Sequence, residues 1–276
     1  MPQNYKIAFF KVLWILRDYL SEIVIGGGWV PFLYYHYLIS DKSREPLRTL
    51  DIDLVVGIDL PVLGGKTIDQ LLLEAGLKLK FKSRDIPPVI HYEGIIEDQE
   101  VEIEFLTEQR GPKDANVIQV QKGLHAEALR FISILLDHVI ELTIDDFKVK
   151  RKYVPLKVKV PSPEAYIFHK GLIYRRRRNK FKEAKDLYYI FDILINCPEL
   201  REQIIEGLKR LSGIYSSWFS RFLNNLKSDF SDIKAKGIEL ILTQRPSGTL
   251  PHLNKEQFKQ YALGTFQEFI EELSAF

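Results

Sequence analysis

The spacing of apolar and polar residues predicts mixed helices and strands in the first hundred-odd residues of the chain. A helical period predicts helices over 5–20, 29–39 and 67–75. Apolar or alternating runs predict strands over 23–25, 50–56, 77–82, 88–95 and 99–107. Helices interspersed with strands in this order indicate an α/β region built on one mixed sheet.

The middle of the chain is less regular, and the last part has a helical period throughout. We predict a loop over 108–116, a helix over 124–136 and strands over 138–144 and 153–160. From Pro163 onward we predict helices over 163–178, 181–195, 198–211, 214–227, 229–242 and 254–273. The fold class is therefore α+β, with an α/β domain over 1–115 and a mainly helical domain over 116–276. The boundary between them lies between 108 and 160.

The composition is that of an ordinary globular protein and excludes few functions. Of the 276 residues 46% are hydrophobic, and 39 basic residues nearly balance 37 acidic ones, so the net charge neither requires nor excludes a nucleic-acid partner. The lone cysteine, Cys197, excludes an internal disulfide and a cysteine-rich zinc site. Lys11 interrupts the N-terminal apolar run, and no run reaches the roughly 18–20 residues of a membrane span. We expect a cytoplasmic protein without a membrane partner.

Three glycines, 26–28, stand between the first predicted strand and the helix that follows it. Such a turn exposes backbone N–H groups at the start of the helix, where a phosphate is favoured. Glycine also lets the backbone approach the anion closely. A tight turn without a ligand is the alternative reading of the glycines alone.

Two pairs of acidic residues alternate with apolar residues in predicted strands. Asp51 and Asp53 are two residues apart, so both side chains leave the same face, and the same holds for Glu102 and Glu104. Burying two like charges so close together is unfavourable unless a cation lies between them, and their hard oxygen atoms suit Mg²⁺. Acids that simply reach water at a strand end or on an exposed face are the alternative.

Together the glycines and acids resemble the nucleotidyltransferase superfamily, which includes polymerase beta-like enzymes. Its pattern is a glycine pair that opens a helix, a D-x-D motif on the next strand and a third acid on a later strand. The corresponding residues are Gly27 and Gly28, then Asp51 and Asp53, and finally Glu104, which two apolar residues follow as in the family. Aspartate is commoner than glutamate at the third position, so the longer side chain alters the expected metal geometry.

Two further features are similar to the minimal and AbiEii-like, toxin-type branches of this superfamily. One is the Gly-Gly-Trp form of the glycine motif, with 22 positions from Trp29 to Asp51. The other is a helical segment with Pro163, Lys170 and Asp186 at matching positions, although Tyr189 stands where aspartate is usual. The resemblance implies that Lys170 contacts nucleotide phosphates and that Asp186 supports it. A solvated lysine is the alternative.

Four consecutive arginines, 175–178, follow this segment and are continued by Lys180 and Lys182. On a helix they point in different directions, so they cannot all face one ligand. Some are expected to be plain surface charges, and the others contact phosphates of a nucleotide or of RNA.

The resemblance implies transfer of a nucleoside monophosphate from a nucleoside triphosphate to an acceptor hydroxyl. Asp51, Asp53 and Glu104 would hold two Mg²⁺ ions, while Gly27, Gly28, Lys170 and Asp186 would bind the nucleotide. The acceptor is expected to be RNA, particularly tRNA, or a protein, and a small molecule such as an aminoglycoside is an alternative. An AbiEii-like toxin with a separate antitoxin is also implied. The alternative hypothesis is a non-catalytic nucleotide-binding or interaction module with the same fold.

Overall fold

The computed structural model describes residues 3–47, 49–81, 90–111 and 116–275. The chain forms two compact units, Met1–Ser162 and Pro163–Phe276. The strands that follow residue 116 belong to the sheet of the first unit. The chain thus changes from sheet to helices at residue 162, just beyond the range in which the sequence places the domain boundary.

The first unit contains a mixed sheet with helices packed on it. Its helices are α1 (Gln3–Ile15), α2 (Trp29–Leu33), α3 (Ile68–Glu74) and α4 (Ser133–Asp137). Its strands are β1 (Ile23–Ile25), β2 (Asp51–Val56), β3 (Lys78–Phe81), β4 (Ile90–Ile96), β5 (Gln99–Glu108), β6 (Val117–Gln121), β7 (Leu124–Leu129), β8 (Val139–Ile144), β9 (Lys148–Val149), β10 (Lys152–Tyr153) and β11 (Leu156–Pro161). The predicted mixed sheet is therefore confirmed, and residues 88 and 89 of the strand predicted over 88–95 lie outside the described part.

The strand order of the main sheet places β2 and β5 side by side. The order is β3-β4-β5-β2-β1-β11-β8, and β7 joins the long strand β5 and pairs with β6. β2 and β5 are parallel, whereas β2 and β1 are antiparallel. The two strands that carry the acidic pairs are therefore direct neighbours, and β2 also lies next to the strand that leads into the glycine turn.

Alternation along β2 and β5 separates an apolar face from an acidic one. Ile52, Leu54, Ile103 and Phe105 are all at least 98% buried, so their face belongs to the core. On the other face, α4 covers the far ends of the strands through a cluster of Val24, Val55, Ile132 and Leu135. The burial of alternate residues keeps the register, since a shift of one residue would turn the acids into the core.

The helix predicted over 124–136 is wrong in its first half. Residues 124–129 form β7, and only Ser133–Asp137 are α-helical. The sequence LHAEAL is rich in good helix formers, but Leu124, Ala126 and Ala128 are buried while the residues between them are half-exposed. Pairing with β5 and β6 thus imposes a period of two, which overrides intrinsic propensity.

The second unit is helical, as predicted. Its helices are α5 (Pro163–Ile173), α6 (Lys180–Asn196), α7 (Arg201–Ile214), α8 (Ser216–Asp229), α9 (Lys236–Gln244) and α10 (Lys255–Ser274). The helix predicted over 229–242 begins only at Lys236, because Asp232 accepts a bond from the Lys234 backbone N–H and holds a turn. None of the described helices combines the length and the apolar character needed to cross a membrane.

Candidate functional site

Four acidic side chains share one face of β2 and β5. The parallel register pairs Asp51 with Glu102 and Asp53 with Glu104. Paired residues of neighbouring strands lie about 4.8 Å apart and point to the same side of the sheet. Glu104 is 9% exposed, and the other three acids are half-buried. The predicted acids of the first unit are thus brought together on adjacent strands.

The glycine turn lies directly against one of these acids. The Gly26 backbone N–H donates to the Asp53 carbonyl oxygen over 2.8 Å. A Cβ atom on Gly27 would lie only 1.8 Å from Asp53 Oδ2, and the φ angle of Gly27 is +60°. Only glycine leaves room for the carboxylate and adopts this backbone without strain. The two sequence motifs therefore form one structural unit.

The helix that follows the turn is held by aromatic packing. Gly28 precedes α2 with φ −80°, an ordinary helical value. Trp29, the first residue of α2, is 1% exposed and stacks on Phe9 of α1 with ring centres 3.9 Å apart. The tryptophan of the Gly-Gly-Trp motif thus anchors the turn to the core, which fixes where Gly27 meets Asp53.

The carboxylates on this face do not form a ready-made metal cage. Within the described ranges, no group of three or more His, Cys, Asp or Glu side chains is arranged to hold an ion. Magnesium binding by Asp51, Asp53 and Glu104 therefore stays a prediction.

The second unit contains a buried charge cluster at the other predicted residues. Lys170 Nζ donates to Asp186 Oδ1 over 2.5 Å, and Arg177 Nε donates to Asp186 Oδ2 over 2.7 Å. Lys170 is only 5% exposed, and its ammonium lies 5.4 Å and 5.3 Å from the ring centres of Tyr166 and Tyr189. The solvated-lysine alternative is therefore wrong. Tyr189, at the position where aspartate is usual, supplies an aromatic face to this cation.

Burial and charge together shift the pKa values of this cluster. Burial raises the pKa of Asp186, but the charges of Lys170 and Arg177 outweigh it and hold the pKa below its usual range. Burial lowers the pKa of the neighbouring His169 to about 3, and the charge of Lys170 adds to this effect. The cluster therefore contains an ionised aspartate beside a neutral histidine.

Replacing Asp186 by asparagine is expected to destabilise the protein strongly. The change leaves two cations with a neutral partner, and Lys170 is too deeply buried to be solvated instead. Breaking a buried ion pair from one side costs about 3–5 kcal/mol. Urea denaturation measures this cost. Glu202→Gln on the exposed side of α7 is the control, and equal unfolding midpoints for the two variants would contradict the structural role of Asp186.

The neutral state of His169 predicts an acid-sensitive stability. The pKa of His169 is 6.5 in the unfolded chain and about 3 in the folded protein. Its contribution to the free energy of unfolding is therefore complete above pH 6.5 and decreases as the pH falls towards 3. The loss is at most about 1.4 kcal/mol per pH unit. Denaturation at pH 7 and pH 5 should show a larger loss for the wild type than for His169→Gln. A stability difference between the two that does not change with pH would contradict the assignment.

The arginine run does not form the helix predicted for it. Tyr174–Arg176 is a 3₁₀ turn, and Arg177 is extended. Arg175 binds the buried Asp229 through Nε and Nη2 at 2.9 and 2.7 Å, and Arg177 binds Asp186. These two arginines therefore stabilise the second unit, while Arg176 and Arg178 are exposed.

The comparison with known families agrees with the geometry of the first unit. A family model described as Nucleotidyltransferase matches residues 18–203, a range that contains the glycine turn, both acidic pairs and the buried charge cluster. The chain belongs to the nucleotidyltransferase family. This membership makes the chain an enzyme by family, in agreement with the resemblance found in the sequence.

Solved structures of other proteins were also compared with this nucleotidyltransferase. A crystal structure of an antigenic nucleotidyltransferase-like protein from Paracoccidioides brasiliensis is similar, with 20% sequence identity and a TM-score of 0.39. The similarity covers 80% of this chain and 92% of that chain. No curated protein matches the chain.

Sequence reasoning missed two features of the site. The glycine motif predicts a phosphate-binding turn or a tight turn without a ligand, whereas in the structure Gly27 is also required by the Asp53 carboxylate. The arginine run predicts surface charges or phosphate ligands, whereas two of the arginines neutralise Asp186 and Asp229. A signal for the second feature is the position of Asp186 next to the apolar residues of the helix predicted over 181–195.

Proposed function

We propose that this nucleotidyltransferase transfers a nucleoside monophosphate from a nucleoside triphosphate to an acceptor hydroxyl. One observation carries the proposal: the Asp53 carboxylate lies against Gly27 and in register with Glu104. The glycine turn at the start of a helix can bind the phosphates of a triphosphate. A carboxylate that touches this turn can hold a cation that neutralises those phosphates. The acceptor hydroxyl would then approach from the side of Glu104.

The donor atoms of the predicted acids fit magnesium. Asp51, Asp53 and Glu104 offer carboxylate oxygen atoms, which Mg²⁺ prefers, whereas none of the three supplies the nitrogen or sulfur atom that favours zinc. We propose that these three residues hold two ions. When bound, the ions supply charge neutralisation for the phosphates and activate the attacking hydroxyl.

The residues of the chain itself would mainly position the substrates. Backbone N–H groups of the Gly27–Gly28 turn would orient the β- and γ-phosphates, and the tight contact with Gly27 would hold Asp53 in one rotamer. Lys170 is proposed to contact phosphates, as the resemblance implies. Its support is the position of Lys170 and Asp186 in the matching segment, and in the structure these two residues are hydrogen-bonded to each other.

The acceptor that we propose is RNA, particularly tRNA, or a protein, and the role that we propose is that of an AbiEii-like toxin. The basic run over 175–182 supports this acceptor class, and the matching segment with Pro163, Lys170 and Asp186 supports the toxin-type role. The test is to incubate the protein with Mg²⁺, each α-³²P-labelled nucleoside triphosphate and either total tRNA, purified proteins or aminoglycosides. The acceptor class is the one that becomes labelled. Label on aminoglycosides alone would contradict the proposal and favour the small-molecule alternative.

A non-catalytic nucleotide-binding module is the second candidate. The absence of a formed three-ligand metal cage among the described residues favours it. Nucleotide binding without transfer to any acceptor, with or without Mg²⁺, would support this reading over the first.

A further inference from the structure

An exposed phenylalanine lies within the most basic stretch of the second unit. Phe181, in the first turn of α6, is 60% exposed. Seven basic residues and only two acids occupy the stretch from Arg175 to Asp186. We propose that this surface, formed by Arg176, Arg178, Lys180, Phe181 and Lys182, binds a single-stranded segment of a nucleic-acid acceptor. The inference rests on the proposed function and specifies its acceptor.

The acids of this stretch are buried and already neutralised. Glu183 is 1% exposed and binds Lys180 over 2.9 Å as well as Lys236. Asp186 is 3% exposed and binds Lys170 and Arg177. The charge that reaches solvent is therefore positive. Even the Lys180 side chain, although it binds Glu183, stays 75% exposed.

The helix dipole does not favour the placement of these cations. Lys180 and Lys182 lie in the first turn of α6, where the helix dipole disfavours positive charge. The turn is already capped, because Asn179 Oδ1 accepts from the backbone N–H groups of Phe181 and Lys182 at 2.8 and 3.4 Å. An anion would thus be recognised by side chains. A phosphate backbone supplies the negative charge that this arrangement lacks.

The aromatic ring decides which polyanion fits. A base stacks on an exposed aromatic ring whatever its identity, but only where it is not already stacked in a duplex. Lys185 lies four residues after Phe181 and therefore on the same side of α6. Basic residues precede and follow the ring along the chain. This arrangement is expected for a surface that contacts several phosphates of a nucleic-acid strand, and not for a site that binds one isolated phosphate.

The test is equilibrium binding of a fluorescein-labelled RNA of mixed sequence, about 15 nucleotides long to span one such site, to the full chain without nucleotide or Mg²⁺. We expect Phe181→Leu to weaken single-strand binding about tenfold. Phe81→Leu, which changes a phenylalanine that is 67% exposed beside Lys80, is the matched control and should bind like the wild type. The same RNA annealed to its complement should bind less tightly and be insensitive to Phe181→Leu.

A charge variant tests the second part of the surface. The double variant Arg178→Gln, Lys182→Gln should reduce the slope of log affinity against log salt by about one to two. The control is the double variant Arg210→Gln, Lys255→Gln, which removes the same charge from the exposed sides of α7 and α10. It should bind the single-stranded RNA more tightly than the first double variant.

The outcomes separate this inference from the proposed function. The inference would be overturned if Phe181→Leu bound the single-stranded RNA with wild-type affinity, or if Phe81→Leu lost as much affinity for it. It would also be overturned if Phe181→Leu affected only the binding of a free nucleoside triphosphate. Phe181-dependent RNA binding by a protein that transfers no nucleotide would support the inference and contradict the proposed function.

Discussion

Replacing Asp53 by asparagine is expected to reduce nucleotidyl transfer by about a thousandfold or more. The amide would keep the shape of the side chain but lose the negative charge with which Asp53 is proposed to hold Mg²⁺. Asp53 has a central position, because it touches Gly27 and is in register with Glu104. Initial rates with α-labelled nucleoside triphosphate measure the effect, and Asp51→Asn should behave similarly.

The control for this change lies on the neighbouring strand. Glu100 alternates with Glu102 and Glu104 along β5 but is exposed and pairs with Ile95, at the far end of the strand from Glu104. Glu100→Gln should keep more than half of the wild-type rate. Undiminished transfer by a folded Asp53→Asn protein would show that the acidic face is not the site of the reaction.

Replacing Gly27 by alanine is expected to abolish most transfer while leaving the protein folded. The new methyl group would lie 1.8 Å from Asp53 Oδ2 and 3.0 Å from Asp53 Cβ, so the flexible carboxylate must rotate away. The positive φ angle adds a strain of about 1–2 kcal/mol. We expect a rate loss of about a hundredfold or more, since a misplaced catalytic group costs this much.

Gly57→Ala is the matched control for this glycine. Gly57 follows β2 directly, and a Cβ there would meet nothing within 4 Å. This variant should transfer at the wild-type rate. A Gly27→Ala protein with normal activity would mean that Asp53 does not act from the rotamer seen against the turn, whereas an unfolded protein would show that the contact is needed for the fold itself.

The sequence predicts the elements that carry the first-unit site because their signals are local. The run Asp51-Ile52-Asp53-Leu54 alternates strictly, and burial of Ile52 and Leu54 turns both acids to the other face. The apolar strand over 23–25 ends at three glycines, a residue type that disfavours strands. These local signals agree with the tertiary structure, so β1, β2 and β5 lie where the pattern places them.

Features that depend on partners distant in sequence are less predictable. Ala126 and Ala128 have helix-forming neighbours, and only pairing of β7 with β5 and β6 makes the segment extended. Likewise Lys170 and Asp186 are 16 residues apart on different helices, and only packing of α5 on α6 shows that the lysine is buried. Nothing local to Gly27 indicates the Asp53 carboxylate against it.

The most direct test of the central claim follows the two ends of the triphosphate separately. The protein is incubated with Mg²⁺, an acceptor and the same nucleoside triphosphate labelled with ³²P at either the α- or the γ-phosphate. Nucleotidyl transfer predicts that the acceptor gains only the α-label, that the γ-label leaves as pyrophosphate, and that Asp53→Asn stops both. Transfer of the γ-label to the acceptor, or no transfer at all by a protein that binds the nucleotide, would contradict the account.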